Sequence, residues 1–204
     1  LLFSVERYEQ VVRAWARGLA RNEQPDRIAS VASFFVSRVD TKIDKQLDAL
    51  GTPEGQRAKG RAAIANAKLA YQRFLTLLKE PEVAAQLARG ARPQRPLWAS
   101  TSTKNPAYSD VLYVESLIGN DTVNTLPPET LDAFVYHGES RHTLETDVDL
   151  ARRDLEALSA LGIDLHTVTR ELESEGVTAF RDSWDKLLGS LKEKCFAVAK
   201  AFAG

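Results

Sequence analysis

Two short stretches of this chain concentrate side chains able to grip an anion. Ser33, Ser37 and Arg38 surround Phe35, and Ser100, Thr101, Ser102, Thr103, Lys104 and Asn105 follow one another without interruption. A guanidinium offers a planar fork of donors and an ammonium a compact charge, so the pair, aided by hydroxyls and backbone N–H groups, suits a phosphate monoester. A plainer reading exists beside it. Ser/Thr/Asn clusters ahead of a proline, here Pro106, are ordinary turn chemistry, and an isolated arginine after a strand is commonly a surface ion-pair partner. No nucleophile stands out: Lys104 lies in a polar loop that keeps it solvated, whereas a reactive lysine needs apolar burial to lower its pKa. Lys42 and Lys45 fall on a solvated helix face. His137, His142 and His166 lack metal-ligand spacing, Asp110 and Glu115 point to different helix faces, and the single Cys195, spaced helically between Leu191 and Val198, reads as a packed thiol.

The elements that must position these groups alternate. Leu1-Leu2-Phe3-Ser4 reads as the tail of a strand, followed by a helix with Tyr8, Val11, Val12, Trp15 and Leu19 on one stripe and Glu6, Arg13 and Arg17 outward. Val31 to Val36 is nearly continuous in apolar residues, as for a parallel strand covered on both faces. Asp40 is expected to cap a helix through Ile43, Leu47 and Leu50 that Gly51-Thr52-Pro53 stops. A longer helix carries Ile64, Tyr71, Phe74, Leu75 and Leu78 inward and Arg57, Lys68 and Lys79 outward. Leu97 to Ser100 forms a third strand, Ser109 to Ile118 about three helical turns, and Thr122 to Leu126 a fourth strand, after which Pro127-Pro128 opens a helix. Beyond His137 everything reads helical: Leu144 to Leu161, a break at Gly162, a segment capped by Asp164, a second break at Gly176, and a last helix with Phe180, Trp184, Leu187, Leu188, Leu191, Cys195, Val198 and Phe202 along one strip suited to a partner surface.

Such alternation signals parallel βαβ units. Four strands are too few to close an eight-stranded barrel, which takes about 250 residues, so the expectation is half a TIM barrel: β/α units over 1–142 and a helical extension over 143–204, one partial α/β domain. A doubly wound sheet fits the alternation as well, though no glycine-rich strand-to-helix fingerprint supports it. The chain contains no methionine, and with its opening strand this predicts that the sequence begins inside a longer protein. Its 27 basic and 28 acidic residues are interspersed, which argues against nucleic-acid and anionic-membrane partners, and no apolar run reaches the roughly 18 residues of a membrane span; the cytoplasm is expected.

Three blocks, Ser30 to Asp40 (SVASFFVSRVD), Arg95 to Pro106 (RPLWASTSTKNP) and Thr122 to Thr130 (TVNTLPPET), resemble successive segments of bacterial transaldolases in order and spacing, and Leu1 to Tyr8 (LLFSVERY) resembles the end of the family's fifth strand. The resemblance implies a TIM barrel that moves a dihydroxyacetone unit from a ketose phosphate such as sedoheptulose 7-phosphate to an aldose phosphate such as glyceraldehyde 3-phosphate, through a lysine Schiff base and without metal or organic cofactor. It places the catalytic residues on strands upstream of Leu1. It carries over Arg38 as the clamp on phosphate, Ser33 and Phe35 as pocket lining and Ser100 as a phosphate- or substrate-contacting serine. In the loop after Ser100, relatives place an arginine or lysine sooner; here extra residues intervene, so Lys104 departs from that spacing and stands as the candidate basic residue, with Asn105 a second candidate in the same loop. The expected partners are sugar phosphates, and open sheet edges predict self-association. A fructose 6-phosphate aldolase and a non-catalytic phosphate-binding half barrel are the alternatives.

Overall fold

Ser4 turns the entry segment into a helix: its hydroxyl accepts from the N–H of Arg7 (3.2 Å), and α1 runs Val5–Ala20. A computed structural model describes the backbone of residues 1–202 and the side chains of 1–196 and 198. After α1 come β1 (Val31–Phe35), α2 (Ser37–Leu50), α3 (Pro53–Ala58), α4 (Ala62–Leu77), α5 (Pro81–Ala88), β2 (Arg95–Ala99), α6 (Leu112–Ser116), β3 (Val123–Asn124), α7 (Pro128–His137), α8 (Val148–Ala160) and α9 (Leu165–Phe202). The strands form one parallel sheet in the order β1-β2-β3, with Val31 opposite Arg95 and Leu97 opposite Val123. Leu2 adds a parallel bridge to Phe34, so the opening residues begin a fourth row.

Burial divides the sheet into two unlike faces. Ala32, Phe34 and Trp98 are closed off by helices; Tyr8 meets Phe34 edge-on at 6.4 Å and Phe34 meets Trp98 at 6.0 Å. On the other face Ser33, Phe35 and Leu97 are half-buried and Val31 is 41% exposed. β1 is therefore covered on one face rather than two, because no described element of this chain lies over the second.

Several expectations change. Asp40 does not cap α2. The Val36 and Ser37 N–H groups already donate to Ala99 O and Ser100 O, so strand passes directly into helix and Asp40 falls inside it, fully buried. Lys68 is not on the wet side: its ammonium donates to the Thr143 and Thr146 carbonyls (2.8 and 2.7 Å), and burial lowers its pKa. Ser109 to Ile118 yields only the short α6, and the fourth strand only Val123–Asn124. Gly176 does not break the last helix. The tip of the Leu1 side chain packs over it, 2.8 Å from where a Cβ would stand, and α9 continues through it. Ion pairs from Arg7 to Glu173 and from Lys42 to Glu171 and Glu175 fasten the start of α9; beyond it Phe180, Trp184, Leu187 and Leu191 are exposed. Cys195 is exposed rather than packed, and the side chain of Phe202, like residues 203–204 of the expected extension, lies outside the described residues. Gly51 and Gly162 end their helices with positive φ (64° and 82°), and Asp164 caps the next helix through His166 N and Thr167 N, as read from sequence.

Candidate functional site

The carboxyl ends of β1 and β2 stay paired past the last strand residue. Phe35 lies opposite Ala99, Val36 N donates to Ala99 O (2.9 Å) and Ser37 N to Ser100 O (3.0 Å). This continued pairing brings Ser33, Phe35 and Arg38 to the same rim as Ser100. Alternation puts Ser33 and Phe35 together on the uncovered face. The guanidinium of Arg38, in the first turn of α2, lies 5.3 Å from the centroid of the Phe35 ring, so an aromatic face steadies an otherwise exposed cation. Phe3 packs on the same ring at 5.2 Å.

Ser100 has φ +56°, in the left-handed region that costs a residue with a Cβ about 1–2 kcal/mol. The surroundings enforce it: its carbonyl is held by Ser37 N, and the next residue, Thr101, is wholly buried with its hydroxyl donating to Asn124 Oδ1 at 2.8 Å. Strain maintained by the fold at a rim residue is a feature of functional positions. Sequence gave no sign of it.

Lys104 and Asn105 lie further along the same loop. The Lys104 ammonium donates to Ser102 Oγ (2.7 Å), and Asn105 Oδ1 accepts from Ala107 N (2.9 Å), so the Asn105 side chain also builds the turn. Both residues line a hollow of about 280 Å³ together with Asp40, Thr41, Asp44 and Tyr108; Arg38 is not among its walls. The structure thus gathers Ser33, Phe35, Arg38 and Ser100 at one rim and sets Lys104 and Asn105 beside it over α2.

Sequence reasoning missed the acidic floor of that hollow. Asp40 accepts from Tyr113 Oη (2.9 Å) and Ala63 N (2.8 Å), and Asp44 from Tyr108 Oη (2.6 Å) and Gly60 N (3.1 Å). Burial, only partly offset by these donors, pushes the Asp40 carboxyl up to about 7, and burial together with the neighbouring carboxylates raises both phenols. An aspartate four residues after another on a helix was the available signal. Among the described residues no group of His, Cys, Asp and Glu could hold a metal ion, and no helix is long and apolar enough to cross a membrane.

The layout is that of an α/β protein whose polar groups collect at the carboxyl rim of a parallel sheet, where such folds place their sites. A family model described as Transaldolase/Fructose-6-phosphate aldolase matches residues 1–191, and the chain belongs to that family. It is 48% identical over 204 residues to Transaldolase 2 of Streptomyces avermitilis, covering 98% of this chain and 55% of the relative. It is 46% identical over 199 residues to a transaldolase of Frankia alni (95% and 54%) and 48% over 206 residues to one of Arthrobacter sp. strain FB24 (98% and 56%). The chain spans about half the length of these curated relatives.

Proposed function

We propose that this chain is the phosphate-gripping half of a cytoplasmic transaldolase. In this reading residues 1–142 supply the last four β/α units of an eight-stranded barrel and 143–204 a helical extension. The single observation that carries it is the rim at which Arg38, steadied on Phe35, stands beside the strained Ser100, within a chain of this family. The guanidinium receives the ester of a sugar phosphate, while Ser33, Ser100, Lys104 and Asn105 supply further donors. The chemistry belongs to a lysine outside these residues. Its amine condenses with the ketose carbonyl, releasing water, and the iminium draws in the electron pair of the breaking carbon–carbon bond. The aldose fragment departs, the retained dihydroxyacetone unit adds to the carbonyl of an acceptor aldose phosphate, and water hydrolyses the resulting iminium to release the new ketose phosphate and the free amine.

Among the described residues the open sheet face and the edges at Leu2 and β3 have no further strand or layer against them, which favours a strand-bearing complement, either the rest of the barrel or a second copy. Borohydride reduction with fructose 6-phosphate, read by intact mass, tests the division of labour: residues 1–204 take up no adduct, and the protein that includes the lysine takes up one. A stoichiometric adduct on the 204-residue chain defeats the assignment. Sugar release that proceeds without an acceptor aldose marks a fructose 6-phosphate aldolase instead.

A further inference from the structure

Asp40 and Asp44 sit one helical turn apart on the side of α2 that meets the loop between β2 and α6, and the phosphate grip uses neither. Each accepts one phenol hydroxyl and one backbone N–H. The phenols, Tyr113 and Tyr108, belong to α6 and the loop before it; the N–H groups, Ala63 and Gly60, belong to the entry of α4. Three segments far apart in sequence therefore meet on two carboxyls, of which Asp40 is 0% and Asp44 7% exposed. Gly60 makes the approach possible. Its φ is +71°, and a Cβ there would stand 2.9 Å from Tyr108 Cζ, so the ring rests against bare backbone. Tyr108 is in turn tied to the cation-bearing turn, since its N–H donates to Asn105 O at 3.1 Å. Lys104, Asn105 and Tyr108 line the same hollow as both aspartates.

We infer that the Asp40–Tyr113 and Asp44–Tyr108 pairs are positioning residues, a two-point clasp that fixes the Lys104–Asn105 turn against the helix carrying Arg38 and so sets how far Lys104 and Asn105 stand from the rim at which Arg38 grips phosphate. The inference rests on the phosphate-grip reading above. A polar loop loses conformational entropy when it is ordered, and hydrogen bonds to a carboxylate are strong enough to offset that cost where neutral ones are not. Removing one phenol leaves a buried acceptor short of a donor, which the loop relieves by moving.

The test is a titration of the 204-residue chain with inorganic phosphate, combined with amide hydrogen exchange. Tyr108→Phe is expected to raise the phosphate Kd about tenfold, the scale of one charge-assisted hydrogen bond, and to speed exchange in 101–108. Exchange at Phe34 and Trp98 stays as in the parent chain, which separates positioning from general destabilisation. Arg38→Gln serves as the control and abolishes the phosphate response. If Tyr108→Phe binds phosphate within twofold of the parent while Arg38→Gln does not bind, the clasp is overturned and the grip stands. If the parent shows no response, or Arg38→Gln matches it, the grip fails and takes the clasp with it. Should Tyr108→Phe lower core protection as well, Asp44→Asn, which keeps an oxygen for Gly60 N, decides by the same comparison.

Discussion

The two faces of the sheet are built from alternate residues of the same strands, yet they do opposite work. Ala32, Phe34 and Trp98 are sealed beneath helices, and their aromatic rings lock edge to face. Ser33, Phe35 and Leu97, one residue away in each case, stand half-open to the side where Arg38 and Ser100 gather. A strand with period two can assign stability to one face and ligand contacts to the other without either constraining the other's residue types. Neighbouring substitutions should then separate the two properties.

The largest expected effect is on the sealed face. Phe34→Ala empties a site of 0% exposure and should cost about 3–5 kcal/mol of unfolding free energy in a urea titration, whereas Phe35→Ala should cost about 1 kcal/mol. Phe35→Ala should instead weaken phosphate binding, because Arg38 loses the ring beneath it. Equal stability losses at 34 and 35 would erase the distinction between the faces.

Next in size is a pH effect at the clasp beside the open face. The folded-state value of Asp40 is raised to about 7, so its neutral form is favoured in the folded state. The associated stability is fully present below the unfolded value of about 4 and is lost as pH rises through about 7. Asp40→Asn removes this dependence, and its stability relative to the parent chain should improve by up to about 2–3 kcal/mol between pH 5 and pH 8. Urea titrations at the two pH values check it; a constant difference between the chains would mean that Asp40 does not titrate in this range.

What was legible in the sequence follows how local the cause is. Gly51, Gly162 and the Asp164 cap act within a few residues, and the reading of each survives in the structure. β1 and β2 were legible through apolar runs, although β2 begins at Arg95, in a stretch that read as a connector, and ends at Ala99, before Ser100; the rim candidates were legible through the position of polar groups at strand ends, reinforced by the family resemblance. Gly176 looked like a break, yet α9 runs through it with Leu1, from the far end of the chain, packed over it. Lys68 looked solvated because its carbonyl partners are 75 and 78 residues away, and Asp40 looked like a cap because Tyr113 is 73 residues away. Local rules yield the default partner of a polar group, water or the nearest backbone, and they fail where the fold supplies a distant one. The exposed apolar strip from Phe180 to Leu191 is the converse case, periodic enough to promise packing but without a described surface beneath it.

The smallest effect bears most directly on why the open face carries strain. If Ser100 is held at φ +56° only by the geometry of the β2 exit, glycine is the better residue there. Ser100→Gly removes a conformational cost of about 1–2 kcal/mol and adds about 0.5–1 kcal/mol of unfolded-chain entropy, so thermal unfolding should show stability unchanged or raised by up to about 1.5 kcal/mol. Ser100→Ala keeps the strain and deletes only the hydroxyl. Should the serine be there to present that hydroxyl to an ester, both variants bind inorganic phosphate more weakly by roughly 0.5–1.5 kcal/mol, although one is relaxed and the other is not. If Ala binds as the parent does and Gly binds weakly, backbone placement rather than the hydroxyl matters. Parent-like binding by both would return Ser100 to the scaffold and leave Arg38 as the rim's one anchor for the ester.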